Sequence, residues 1–261
     1  MKKNHSHACY RFFLRNSLLT PESIATKKLV LGQEEDEIFF QLTRVLRCQI
    51  NDKVVLLNNS REKASPIEYI FQISTINKKN LVLELIDQVE KNNYQLPNPI
   101  LAIGLPNKPA KLEFIIQKAT ELGVAQIHLI KFTFSQFPHQ INLPRLDKIA
   151  IEAAEQSEQL CVPEIIFYQD LADYLSQQHK NSLLVALERS SQNSESLLSV
   201  NLPPQPILLI GPEGGISPQE KQILSEQGIK AFNLGSSILR METACLLSLG
   251  ICSLRLQKNQ P

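Results

Sequence analysis

The chain has 261 residues, room for one large domain or two smaller ones, and 43% of them are hydrophobic, enough for a substantial core. A net charge of +1 excludes a globally basic nucleic-acid binder and leaves only a local patch for that purpose. Five cysteines (Cys9, Cys48, Cys161, Cys245, Cys252) without Cys-x-x-Cys spacing argue against a zinc site and read as buried free thiols of a reducing compartment.

His5 and His7 stand near Cys9 but have no second ligand cluster, so a polar tail and no metal is the expectation. Met1-Lys-Lys is followed by polar residues rather than an apolar leader segment. No window approaches the ~18 apolar residues of a membrane span. A cytoplasmic protein without a membrane segment is expected.

In chain order, the first stretch is β-rich. Strands are predicted at Cys9–Leu14, Lys53–Leu57, Ile67–Ile76 and Leu81–Val89, separated by Asn, Lys and Ser turns. Asp36–Arg47 reads as a helix with Ile38, Leu42, Val45 and Leu46 on one face, and Arg44 and Arg47, three apart, share another. Several short strands and one helix suggest a small barrel. Residues 91–99, with two prolines, are a linker. The split falls at 1–94 and 95–261. The first part carries 14 Lys/Arg against 11 Asp/Glu, net +3; the second carries 13 against 15, net −2.

An α/β alternation follows: strand Ile100–Leu105, helix Ala110–Leu122 stopped by Gly123, strand Gln126–Lys131 and a helix from Pro144 through Ser157. Then come helix Asp170–Gln178, strand Leu183–Leu187 and a polar loop over Glu188–Gln205. This pattern predicts a parallel sheet covered on both faces, with a ligand site beyond the carboxyl ends of its strands. The loops after Leu187, Ile210 and Leu234 converge there.

Two stretches carry the chemistry. Leu208-Leu-Ile-Gly-Pro-Glu-Gly-Gly-Ile-Ser-Pro-Gln-Glu220 reads as a buried strand, a glycine turn and a helix opened by a Ser217–Glu220 capping box with Pro218 at its first position. Leu234-Gly-Ser-Ser-Ile-Leu-Arg-Met-Glu-Thr-Ala244 repeats the plan, with a helix from about Glu242. The turn matches neither Gly-x-Gly-x-x-Gly nor the Walker loop. On spacing alone, ordinary turns and a ligand site remain equally open.

The two motifs, in this order, resemble the RsmE family of small-subunit rRNA methyltransferases in the SPOUT superfamily. Lys111-x-Glu-x-x-Ile-Gln-Lys-Ala-Thr-Glu-Leu-Gly123, Glu152-Ala-Ala-Glu-Gln-Ser157 and Val45-Leu-Arg47 extend the match over nearly the whole chain. The resemblance implies methylation, dependent on S-adenosylmethionine, at N3 of a uridine in 16S rRNA of the small ribosomal subunit. It also implies a PUA-like RNA-binding β-barrel over 1–94 and a SPOUT α/β domain over 95–261 with a trefoil knot, acting as a homodimer.

On this reading Arg240 stabilises the uracil anion, and Glu242 either acts as a base or caps the following helix. The cofactor is expected against Leu187, Leu209, Ile210, Gly211, Pro212, Glu213, Gly214, Gly215, Leu234, Gly235, Ile238, Leu239, Thr243 and Ala244. Glu213 either reaches the ribose hydroxyls or holds the loop. RNA phosphates are expected at Arg11, Arg15, Arg44 and Arg47. Three positions depart from the family: Gln41 replaces a histidine, and Phe134 and Gln159 replace arginines. They keep open a second reading, an RNA-binding paralogue with lost or altered methyltransferase activity.

Overall fold

The first sheet combines one alternating strand with runs buried in succession, such as Val54 to Leu57. The computed structural model describes residues 9–14, 20–32, 37–58, 66–90, 99–136, 140–178, 182–186 and 194–258, and the chain divides into two compact units, Met1–Gln95 and Leu96–Pro261. The first unit holds β1 (Cys9–Leu14), α1 (Pro21–Ala25), β2 (Lys28–Gly32), α2 (Glu37–Phe40), β3 (Lys53–Asn58), β4 (Ile67–Ile76) and β5 (Asn80–Glu90). Strand order is β1-β3-β4-β5-β2; β1 runs parallel to β3 and the other pairs are antiparallel. In β2, Leu29 and Leu31 are buried while Lys28 and Val30 are exposed, as a half-buried strand requires. They join Phe12, Val54, Leu56, Phe71, Ile73 and Leu83 in one core. Two register breaks between β4 and β5, at Ile70/Phe71 and Ile73/Thr75, bend the sheet.

Two elements, α1 and β2, are absent from the sequence reading. Thr20 and Pro21 are a start signal for the first: the Thr20 hydroxyl accepts from the Ser23 amide and Pro21 sits in the first turn. The helix expected over Asp36–Arg47 is α2 running directly into a π turn, Gln41–Val45, closed by Leu46 N–H donating to Gln41 O at 2.9 Å. Arg47 lies beyond it with φ +52. The shared helix face assigned to Arg44 and Arg47 is therefore not formed, because helical spacing ends before Arg47 is reached.

The second unit holds β6 (Ile100–Gly104), α3 (Pro109–Glu121), β7 (Gln126–Ile130), α4 (Leu143–Gln156), β8 (Glu164–Tyr168), α5 (Leu171–Gln177) and β9 (Leu183–Ala186). It continues with β10 (Ser194–Ser196), β11 (Ile207–Ile210), α6 (Pro218–Glu226), β12 (Lys230–Asn233) and α7 (Met241–Lys258). The sheet order is β10-β12-β9-β11-β6-β7-β8 and every pairing is parallel. All residues of β6 and β11 are buried, as expected of strands covered on both faces. Ile100, Ala102, Leu183, Val185, Ile207 and Leu209 share a core with Tyr174 of α5 and Leu224 of α6. The alternate residues Leu101, Ile103, Leu184 and Leu208 point to the opposite face. α3 packs against both α4 and α7, and α7 against β11.

Two more strands go beyond the sequence reading. β8 is an ordinary apolar run after Pro163. β10 lies inside the stretch read as a polar loop; Ser194-Glu-Ser196 has little strand propensity and forms by pairing with Ala231–Asn233. On β7, His128 is 2% exposed, with Nδ1 3.3 Å from the Tyr174 hydroxyl and Nε2 3.2 Å from Gln126 Oε1. Tyr168 and Tyr174 meet the imidazole edge-on. Burial pushes its pKa down to about 4. Among the described residues no helix is long and apolar enough to cross a membrane, and no group of His, Cys, Asp or Glu could hold a metal ion.

Candidate active site

Parallel strands deliver their carboxyl ends to one edge of the sheet, and a cleft of about 570 Å3 opens there. Ala186 reaches it from β9, Ile210 from β11, and Phe232 and Asn233 from β12. Two walls rise from these strands. The first is Gly211–Ile216, the second Leu234–Met241 without Ser236 on the lining. Gly215 at φ +79 and Gly235 at φ +103 take backbone conformations that favour glycine, which explains both turns.

The first wall is clamped on both sides. Glu213 accepts from the Asn107 amide at 3.0 Å and from Lys111 Nζ at 2.8 Å. Its carboxylate therefore holds the loop to the β6–α3 connection, which favours the second of the two roles left open for it. Downstream, the Ser217–Glu220 capping box forms as the sequence indicates. The same Glu220 also accepts from the Thr133 amide at 2.8 Å and the Thr133 hydroxyl at 3.1 Å. One carboxylate thus caps α6 and ties down the segment after β7. That segment presses Phe134 onto the first wall: a Cβ on Gly214 would sit 2.9 Å from Phe134 Cβ.

The second wall carries the one arginine among the described residues of the cleft. Arg240 is exposed on the lining, and its guanidinium has no hydrogen bond or ion pair among the described residues. Its carbonyl accepts from the Ala244 amide at 2.9 Å, so Arg240 stands at the start of α7. Asn233 steadies this wall from below, donating to the Ser194 carbonyl at 3.0 Å and accepting from the Gly235 amide at 3.3 Å.

Most residues expected at the cofactor are brought together on this lining: Ile210, Gly211, Pro212, Glu213, Gly214, Gly215, Leu234, Gly235, Ile238, Leu239 and Ala244, with Arg240 among them. Three are not. Leu209 is fully buried below the cleft, because strand alternation turns it into the core shared with α6. Glu242 and Thr243 follow Met241 on α7; Met241 and Ala244, three apart, line the cleft, and the intervening residues are rotated away. One carboxylate oxygen of Glu242 is buried without a hydrogen-bond partner. Leu187 and Arg15 lie outside the described residues.

The RNA-contact candidates fare differently. Arg11 on β1 is held by Glu68 of β4 at 2.7 Å, with both side chains largely buried, so it does not present a free phosphate grip. Arg44 and Arg47 are exposed. Gln159 donates to the Glu121 carbonyl at 3.0 Å, against the left-handed turn at Gly123. It finishes α3.

Sequence reasoning misses Asn107, Lys111 and Lys221 on the lining. A signal exists for the first two. β6 pairs with β11, so the connection after Gly104 has to emerge beside the loop after Ile210.

The chain matches a family model described as RNA methyltransferase domain over residues 94–253. It is 35% identical to ribosomal RNA small subunit methyltransferase E of Rickettsia conorii over 207 residues, covering 78% of this chain and 82% of that protein. With the Bacillus subtilis protein of the same name the identity is 32% over 244 residues, covering 86% and 88%. A solved structure of the Neisseria gonorrhoeae protein of that name, bound to S-adenosyl methionine, superposes with a TM-score of 0.76 at 26% identity, covering 95% of this chain and 98% of that one. The chain belongs to the ribosomal RNA small subunit methyltransferase E family.

Proposed function

We propose that the protein methylates N3 of a uridine in 16S rRNA of the small ribosomal subunit, using S-adenosylmethionine. The observation that carries this reading is the junction of the two glycine-turned walls around one cleft, with an unpaired arginine facing into it. The residues fit the cofactor. The volume lies within the roughly 300–1,000 Å3 of small-molecule sites. Ile210, Leu234 and Leu239 offer apolar surface for an adenine, and the amides of the glycine turns offer donors.

The cofactor supplies an electrophilic methyl group on a sulfonium. The chain's own residues have two tasks. They align the acceptor in line with the breaking sulfur–carbon bond. They also make the uracil imide a nucleophile, because the neutral nitrogen attacks poorly. The Arg240 guanidinium serves the second task by stabilising negative charge on the uracil oxygens as the N3 proton leaves. Glu242, behind the wall in the first turn of α7, suits the positive end of that helix.

The finer architecture belongs to the same proposal. The first unit is a PUA-like barrel that holds RNA through exposed Arg44 and Arg47. The second is a SPOUT domain with a trefoil knot; the insertion of β11 between β9 and β6 supports this. The protein is a cytoplasmic homodimer. Leu247 and Leu254, exposed and seven apart on α7, form an apolar stripe for a second copy, and Ile238, 98% exposed, stands at the cleft.

The test is transfer from labelled S-adenosylmethionine to small-subunit particles lacking the modification, read as N3-methyluridine in digested 16S rRNA. Label appearing at N3 of one uridine is expected. Cofactor binding without transfer would overturn the reading in favour of the RNA-binding paralogue, for which Gln41, and Phe134 packed against Gly214 of the first wall, remain supporting departures.

A further inference from the structure

A second cavity, of about 390 Å3, opens at the carboxyl ends of β6, β7 and β8. Leu105 follows β6, Lys131 follows β7, Phe167 stands near the end of β8, and Gln169 comes just after it. Ser135 and Gln140 come from the β7–α4 connection. Two short segments separate this cavity from the cofactor cleft. In the β6–α3 connection, Leu105 lines the second cavity and Asn107 the cleft. In the β7–α4 connection, Ser135 lines the second cavity while Phe134, 43% exposed, lies against Gly214 of the cleft. The two cavities share a partition.

The lining has a definite chemistry. No described residue on it is acidic. The side chains of Lys131, Gln140 and Gln169 make no hydrogen bond or ion pair among the described residues. The Ser135 hydroxyl accepts from the Phe132 amide at 3.0 Å, which leaves its own proton to donate. An aromatic face, two amides that each donate and accept, a hydroxyl and an ammonium are the groups that take an unstacked base and its phosphate. A bare anion would leave Phe167 and Leu105 without a role, and an aliphatic ligand would leave the amides without one.

We propose that this cavity seats a nucleobase of the RNA strand adjacent to the nucleotide presented to the cleft, with Lys131 on its phosphate. The proposal rests on the RNA-methyltransferase reading above. Seating a neighbouring base on the far side of the partition anchors the strand and leaves the target nucleotide unstacked for the cleft.

The test compares wild-type protein with Gln140→Ala/Gln169→Ala and with Lys131→Ala, all at exposed side chains. Binding to unmodified small-subunit particles is measured by sedimentation, cofactor affinity by calorimetry, and methyl transfer in parallel. The expected result is a roughly tenfold weaker particle Kd for each variant, with S-adenosylmethionine affinity unchanged, so that KM rises and kcat holds. Particle affinities within twofold of wild type, while the wild-type protein transfers methyl, overturn the second site alone. A wild-type protein that transfers no methyl but loses particle affinity in the variants overturns the reading of the cleft and leaves the second site standing. Wild-type protein that does not bind the particles overturns both.

Discussion

Arg240 and Glu213 divide the work of the cleft. Arg240 is unpaired on the lining, so its removal takes charge from the reaction without breaking a structural contact. Arg240→Ala should lower kcat by about 10²–10³-fold while leaving the S-adenosylmethionine Kd nearly unchanged, a split read by single-turnover transfer and calorimetry. Glu213 is the opposite case. Its contacts to Lys111 and Asn107 hold the first wall. Glu213→Gln keeps an acceptor for the amide but loses the ion pair. Both partners are about three-quarters buried, so the loss is about 1 kcal/mol, seen as a roughly fivefold weaker cofactor Kd by calorimetry, with kcat at saturating cofactor near wild type. Of the three departures from the family pattern, Gln159 has a structural partner: its amide donates to the last turn of α3 at Glu121.

At the scale of elements, the parallel alternation is legible because buried strands read as apolar runs and the helices carry clear faces and caps. The elements that escape notice lack such marks. Ser194-Glu-Ser196 is polar and becomes a strand only against β12, and Pro21–Ala25 is too short to show a period. The π turn is hidden because residues 41–45 have the composition of an ordinary helix, while its i+5 bond depends on how the following turn closes. Elements also place His128, which sits on β7 under Tyr174 of α5 and is held neutral with a pKa of about 4. The unfolded chain binds this proton near 6.5, so the stabilisation is complete above that pH. It declines as pH falls from 6.5 to 4, by about 3 kcal/mol in all. Urea titrations at pH 7, 5.5 and 4 should show this loss, and His128→Gln should flatten it.

On the scale of the molecule, the scattered cysteines report on the two units. Cys9 is exposed, whereas Cys48, Cys245 and Cys252 are buried. Burial pushes Cys48 up to about 11, Cys252 up to about 12 and Cys245 higher still. In native protein a thiol reagent at pH 8 should modify Cys9 within the mixing time. Cys48 should follow only when the first unit opens, and Cys245 and Cys252 when the second does; peptide mapping against urea concentration separates them. Convergence of two glycine loops on one cleft can be read from residue order, but the pairing of Arg11 with Glu68 cannot, since the two lie 57 residues apart.

The strand order has a consequence for synthesis. β9 pairs only with β11 and β12, both of which come later in the chain. While β6, β7 and β8 can zip together as they leave the ribosome, β9 must wait with both edges open until residues 207–233 have emerged. Those are the residues that lead directly into the two walls. The last gap in the sheet and the cofactor cleft therefore close late together, and a nascent chain acquires its ligand site only after β12, the last strand, has emerged and paired.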